Sequence, residues 1–408
     1  MSDFNAKSLC ILGRQPALGV AELESLYGGE HVRPLDNNAL LDIDAGEINF
    51  KRLGGTIKVA RILTEIDSTA WPAIKKYLIK NIPPHTQHLP EGRFTLGLSV
   101  YGLKTDVNSI NVVGLDIKKA IRRSGRPVRI VPNKELALNS AQVLHNKLTH
   151  LGAWELLLVP SGNKTLLAQT MFVQDIDAYA ARDQARPQRD SRVGMLPPKL
   201  AQIIVNLAAG APGGKNDHAY DKKTMARWNI LDPFCGSGVI LQEALLMGYS
   251  VTGSDIDPRM VKYSQENLKW LIEQFPAIEG RVVLETDDAT SHRWPPFSVV
   301  ASETALGPPL SSLPPPDKFK ALVSETNLVI KKFLKNLQPQ LRSERKICLA
   351  VPAWRGKDGK LVNLPLIDQI SDLGYNWVDF QHVELTDLVY FREDQTVARR
   401  LLVLSKKV

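Results

Sequence analysis

Cysteine is scarce in this chain: there are three in 408 residues, Cys10, Cys235 and Cys348, far apart and without paired spacing. That argues against a disulfide framework and a zinc site, and it suits a reducing cytoplasm. No metal is expected. Long apolar runs are missing too. None approaches the ~20 residues of a membrane span, and Met1-Ser2-Asp3-Phe4-Asn5 lacks the pattern of a secretory leader. No membrane partner is therefore expected. Acidic residues are absent from one stretch, Lys118 to Arg129, which holds Lys118, Lys119, Arg122, Arg123, Arg126 and Arg129. Ordinary solvated faces mix signs, so this run is a candidate phosphate-contacting surface. A second group, Arg182, Arg186, Arg189 and Arg192, is diluted by Asp183 and Asp190. The net charge of +8 and pI near 9.2 favour a polyanionic partner.

What is present centres on Ile230-Leu231-Asp232-Pro233-Phe234-Cys235-Gly236-Ser237-Gly238. It reads as a buried strand, a glycine turn and the start of helix Val239–Met247, an arrangement that brings backbone amides close to a nucleotide-like ligand. Leu241 stands where a dinucleotide fingerprint needs its third glycine, and no Lys-Ser/Thr pair follows, so neither a nicotinamide site nor a P-loop fits. Asp232 at the strand's end suits a ligand bearing an amino or sulfonium charge. A second strand, Ser250–Asp255, precedes Asp257-Pro258, an N-cap and first-turn proline. Asp255 is placed to accept from ribose hydroxyls, with Ile256 beside it. A third strand, Arg281–Glu285, leads to Asp287-Asp288-Ala289, where Asp288 suits an adenine amino group. Cys235 is a poor candidate nucleophile, because the methylases whose glycine turn this one resembles commonly carry a small residue there without using it chemically.

At this length two or three domains are expected. Residues 1–85 read as mixed α/β, with strand Ser8–Leu12, helix Val20–Tyr27 and strand Leu40–Ile43. A proline break at Ile82-Pro83-Pro84-His85-Thr86 closes them. Residues 86–178 form a second unit: strand Phe94–Tyr101, a helix from near Asp106 to Ala120, strand Val128–Val131, helix Ala137–Leu148, and strands Trp154–Val159 and Thr165–Val173. Residues 189–408 alternate strands and helices as a doubly wound sheet does. Within them, 208–224 reads as a mobile loop. Trp377–Glu384 and Val397–Leu404 form an expected antiparallel hairpin at the sheet's far edge, typical of class I methyltransferases rather than nicotinamide dehydrogenases.

On these residues the chain resembles the THUMP-domain RNA methyltransferases that methylate the exocyclic amine of the guanosine at position ten of tRNA. Gly13-Arg14-Gln15-Pro16-Ala17-Leu18 with Ala21-Glu22-Leu23 is similar to their opening segment. Ser140-Ala141 and His145-Asn146-Lys147-Leu148 look like part of a THUMP module. Arg186-Pro187 and Gly194-Met195-Leu196-Pro197-Pro198-Lys199-Leu200-Ala201 resemble the segment entering their catalytic domain. The resemblance implies an α/β architecture: a Rossmann-like class I methyltransferase domain preceded by ferredoxin-like and THUMP-like α/β domains. It implies S-adenosyl-L-methionine as cofactor and tRNA or another structured RNA as partner, and it leaves open an activating protein subunit. Leu196, Pro197 and Pro198 would border the donor site. Asp232, Gly236, Gly238, Asp255, Ile256, Asp288 and Ala289 would form it.

One departure stands out. Such enzymes carry Asp/Asn-Pro-Pro-Tyr/Phe after the fourth strand, because an exocyclic amine needs acceptors for its N–H bonds and the base needs a ring to stack on. Here strand Ser298–Ala301 runs into Ser302-Glu303-Thr304-Ala305-Leu306-Gly307-Pro308-Pro309-Leu310. If the motif follows the strand directly, Glu303 takes the acidic position and Gly307 the trailing glycine. If Gly307-Pro308-Pro309-Leu310 is the motif, the acceptor is glycine. Strand length favours the first, making Glu303 and Ser302 the catalytic candidates. Neither alignment keeps the aromatic. The rival readings are an RNA-binding protein with a degenerate site that still binds the donor, a DNA or protein methylase on the same core, and a nicotinamide oxidoreductase.

Overall fold

The computed structural model describes residues 4–189, 195–211, 225–356 and 358–407. Arg192, Asp190 and Gly194 lie outside the described residues, as does the expected loop from 212 onward. Among the described residues no helix is long and apolar enough to cross a membrane. The chain divides into two compact units.

The first unit comprises residues 1–13, 31–51 and 56–178. Its strands are β1 (Ser8–Leu12), β2 (Val32–Leu35), β3 (Asn38–Leu41), β4 (Thr56–Ile66), β5 (Phe94–Val100), β6 (Val128–Ile130), β7 (Ala153–Ser161) and β8 (Lys164–Val173). They make one 8-stranded sheet in the order β2-β3-β1-β4-β8-β7-β5-β6. Strands from both sides of residue 85 thus share a sheet through the antiparallel β4–β8 pair. Two helices, Trp71–Thr86 and Val107–Arg123, pack together on it. The second repeats Ile110, Val113, Ile117 and Ile121 at helical spacing, and these meet Ile74, Leu78 and Ile82 of the first over Phe94, Leu96 and Leu98. The expected proline break is not a break: the helix runs through Pro83 and Pro84 to Thr86. Near a helix's end a missing N–H costs little, and carbonyls of the last turn, which have no helical partner, find other donors. Thr86 Oγ1 donates to Pro83 O at 2.7 Å, and Arg126 Nη1 donates to Thr86 O at 2.5 Å. The helix expected over Ala137–Leu148 shrinks to Ser140–His145, started by an Asn139/Gln142 capping box and followed by Lys147 at φ +52°.

The second unit comprises residues 14–30, 52–55 and 179–408. Helix α1 (Pro16–Tyr27) belongs here rather than with its neighbours in sequence. The parallel core holds β9 (Asn229–Asp232), β10 (Ser250–Asp255), β11 (Val282–Thr286), β12 (Val299–Glu303) and β13 (Lys346–Arg355). Beyond them lie β14 (Leu361–Val362), β15 (Tyr375–Trp377), β16 (Val389–Tyr390) and β17 (Val397–Lys406). The order is β11-β10-β9-β12-β13-β17-β15, with β17 antiparallel to both neighbours. The expected antiparallel edge is present, but residues 378–384 are not strand. Glu24 of α1 takes the N–H of Gln381 at 2.6 Å and of His382 at 2.9 Å, so those donors are spent on a carboxylate instead of a ladder.

Candidate functional site

The carboxyl ends of β9 and β10 meet at the glycine turn, the crevice position where open α/β sheets bind ligands. Gly236 (φ +51°) and Gly238 (φ +85°) both adopt left-handed backbone. A Cβ on Gly236 would project into space with nothing within 4 Å, whereas one on Gly238 would meet Ser264 Oγ at 2.9 Å. One glycine leaves room for a ligand; the other lets the turn close on the helix behind it. Asp255 completes the turn. Its Oδ2 accepts from Gly236 N at 3.0 Å and its Oδ1 from Asp257 N at 3.0 Å, which leaves lone pairs for a ligand's hydroxyls. Burial raises the Asp255 carboxyl, and these backbone donors pull it back. Asp257 caps the following helix, accepting from Arg259 N at 2.9 Å. Ile256 stands 69% exposed beside Asp255, an apolar face that a flat ring would cover.

Asp232 lies deeper. It is 2% exposed, and Oδ1 accepts from Ser302 Oγ at 2.6 Å and Phe234 N at 3.3 Å. Burial raises its pKa to about 7. Such a group is poised to ionise against a cationic ligand. Ser302 is therefore not a group that touches substrate: its side chain is fully buried and its hydroxyl is spent on Asp232. Burial also raises the Cys235 thiol well above its ordinary value, with Asp232 and Asp255 adding to the effect, so the sulfur stays protonated and inert.

Asp288 caps its own turn, accepting from Thr290 N at 2.8 Å, with Ala289 buried behind it. His292, invisible to motif reasoning, bridges Glu285 (3.0 Å) and Asp287 (2.8 Å) next to it. Leu196 and Pro198 are buried and Pro197 half-buried at the start of helix Pro198–Ala209. Leu196 joins the cluster containing Cys235 and Val239. Asn267, 1% exposed, ties the glycine turn to the segment entering this unit. Its Nδ2 donates to Ser237 O (2.9 Å) and Gln188 O (3.0 Å), and its Oδ1 accepts from Gln188 N (2.8 Å). Glu303, half-buried at the end of β12, is engaged by Arg399 of β17, whose Nε donates to its Oε1. Burial raises the Glu303 carboxyl and Arg399 opposes it.

The basic run divides. Lys119, Arg122, Arg123 and Arg129 are exposed and Lys118 half-buried. Arg126 is not part of that surface. It donates to the carbonyls of Thr86, Leu89 and Pro90, so its guanidinium closes the end of the preceding helix. That same helix adds exposed Lys76 and Lys80, a contribution that only packing reveals. Two arginines of the second group, Arg182 and Arg186, are structural, while Arg189 is exposed. Arg182 forms a buried pair with Glu243 at 2.9 Å, and Arg186 is 3% exposed. A cleft of about 750 Å³ in the first unit is lined by Asp36, Asn38, Tyr101, Glu135 and Lys58. Among the described residues that line it, the one basic side chain, Lys58, is already paired with Glu155.

The sheet order, with antiparallel β17 in its sixth place, and the glycine turn between two carboxylates are those of a Rossmann-like class I methyltransferase fold. TrmN from Thermus thermophilus has a similar structure, with a TM-score of 0.51 over 98% of this chain and 100% of that one, at 16% identity. No protein-family model matches the chain. In sequence it is similar to the tRNA (guanine(10)-N2)-dimethyltransferase of Methanothermobacter thermautotrophicus, 32% identical over 180 residues, 42% of this chain and 44% of that protein. The protein of the same name from Pyrococcus abyssi is 40% identical over 80 residues, 20% of each chain. The matched stretches thus span less than half the length of these curated relatives.

Proposed function

We propose that this protein is an S-adenosylmethionine-dependent methyltransferase acting on the exocyclic amine of a guanosine in tRNA. The observation that carries the reading is the Asp255 carboxylate closed on the Gly236 N–H, beside an open glycine position and above buried Asp232. The named activity of the curated relatives supplies the substrate class. In this reading Asp255 accepts from the ribose, Asp288 from the adenine amine, and Ile256, Ala289, Leu196, Pro197 and Pro198 wall the donor. When bound, the donor supplies an electrophilic methyl group on sulfur. Glu303 then accepts an N–H of the base amine through the oxygen Arg399 does not hold, drawing the nitrogen lone pair toward that methyl. Glu303 or water would take the amine's proton as the methyl group is transferred. Exposed Lys118, Lys119, Arg122, Arg123 and Arg129 contact RNA phosphates, within a THUMP-like module over residues 86–178 that follows a ferredoxin-like segment over residues 1–85. The isolated, buried cysteines support a cytoplasmic setting.

A second reading, an RNA-binding protein whose degenerate site still holds the donor, is favoured by one observation: Leu306 stands where the motif's ring would be. Transfer of labelled methyl into unmodified tRNA, with and without lysate to supply an activating subunit, separates the two. Label in guanosine supports the enzyme; donor binding without transfer under either condition supports the second reading.

A further inference from the structure

Position 303 carries the longer of the two acids, and the fold puts a cation on it. Val299 and Ala301 of β12, and Leu401 and Val403 of β17, face one core cluster. By strand alternation Glu303 and Arg399 emerge on that same side, across the width of β13. Their side chains are 16% and 6% exposed. Only Oε1 of Glu303 is engaged; among the described residues Oε2 accepts no hydrogen bond. The elements packed there bring few other charges. β9 brings Asp232, helix Pro198–Ala209 brings Lys199, β16 brings Tyr390 opposite Arg399, and β13 brings Ala350 and Pro352. Arg399 alone of these reaches hydrogen-bond distance of Glu303.

We propose that Arg399 is a positioning residue for the amine acceptor: it clamps one oxygen of Glu303 and presents the other to the substrate nitrogen. The inference rests on the methyltransferase reading above. A glutamate has one more rotatable bond than the aspartate it replaces, so its acceptor oxygen wanders unless held, and misplacement by ~1 Å costs about a hundredfold in rate. A guanidinium suits the task because its donors are fixed in one plane and it stays charged. It also favours the carboxylate where burial favours the acid.

The test compares the parent with Arg399→Gln, Arg399→Lys, Glu303→Gln and the double Gln variant. Single-turnover methyl transfer into unmodified tRNA is measured across acid and neutral pH, donor affinity by calorimetry, and the titration of Glu303 by carbon NMR of glutamate-labelled protein. The Glu303 signal is assigned by its loss in Glu303→Gln. Arg399→Gln should slow transfer about a hundredfold near neutrality, leave donor affinity unchanged and move the acid limb to higher pH. The double variant should be no slower than Glu303→Gln. Arg399→Lys keeps the charge without the planar clamp and should lose about tenfold with little movement of the acid limb; it also serves if the Gln variant does not fold. An unshifted pH profile in Arg399→Gln, or additive losses in the double variant, would overturn the proposal. If the parent transfers no methyl to any RNA, the methyltransferase reading falls. The clamp is then judged on the NMR titration alone: a raised Glu303 midpoint in Arg399→Gln supports it and an unmoved one refutes it.

Discussion

Replacing Asp255 with Ala tests the donor site most directly. The carboxylate accepts two backbone N–H bonds, from Gly236 and Asp257, each at 3.0 Å, and in the proposed complex it also accepts from the ribose. Losing hydrogen bonds to a charged acceptor costs about 1.5–3 kcal/mol. That is a roughly 10- to 150-fold weaker Kd for S-adenosylmethionine. The two freed N–H groups lie at a half-buried turn, so folding stability should fall by only about 1–2 kcal/mol. Asp255→Asn, which keeps one carbonyl acceptor, should lie between. Protonation adds a second signature. Burial raises this carboxyl, so donor affinity should drop as pH falls through its titration, and the Asn variant should lack that drop. Calorimetric titration of folded proteins, checked by circular dichroism, gives both. Unchanged donor affinity in folded Asp255→Ala, or tight NAD binding by the parent, would refute the reasoning.

Four further outcomes are expected. Replacing Lys119, Arg122 and Arg123 with Ala should make log affinity for tRNA fall less steeply with log salt, by almost one unit for each duplex phosphate that is no longer neutralised. Arg126→Ala should leave that slope alone while lowering the melting temperature, because its guanidinium serves backbone carbonyls; filter-binding series and thermal scans check both. Arg182→Ala strands Glu243, which is fully buried, and should cost about 3–5 kcal/mol in chemical denaturation. A cost below ~1 kcal/mol would mean the pair behaves as a surface one. Asp232 has its pKa raised from 3.8 to about 7 in the folded protein, so the folded state holds its proton more tightly than the unfolded chain. Its contribution is fully present below the unfolded value and lost as pH rises through about 7. Urea midpoints should show a decline across that window in the parent that Asp232→Asn lacks.

The doubly wound domain, its glycine turn and the carboxylates that end β9 and β10 were all legible in the order of residues. These depend on local chemistry: strand, turn and helix signals lie within one run of residues, and β10 spans Ser250–Asp255 as the pattern predicts. The same locality explains the misses. A proline pair reads as a break because its helix's capping donor, Arg126, lies about forty residues on. Residues 378–384 read as strand because their apolar pattern carries no sign of Glu24, which takes their donors from the other end of the chain. Ser302 reads as a group facing substrate because its hydroxyl's partner, Asp232, arrives on a neighbouring strand, β9. Packing assigns which arginines face solvent and which neutralise buried acids. Packing also brings Arg399 to Glu303, since no spacing along a chain encodes an ion pair formed across an intervening strand.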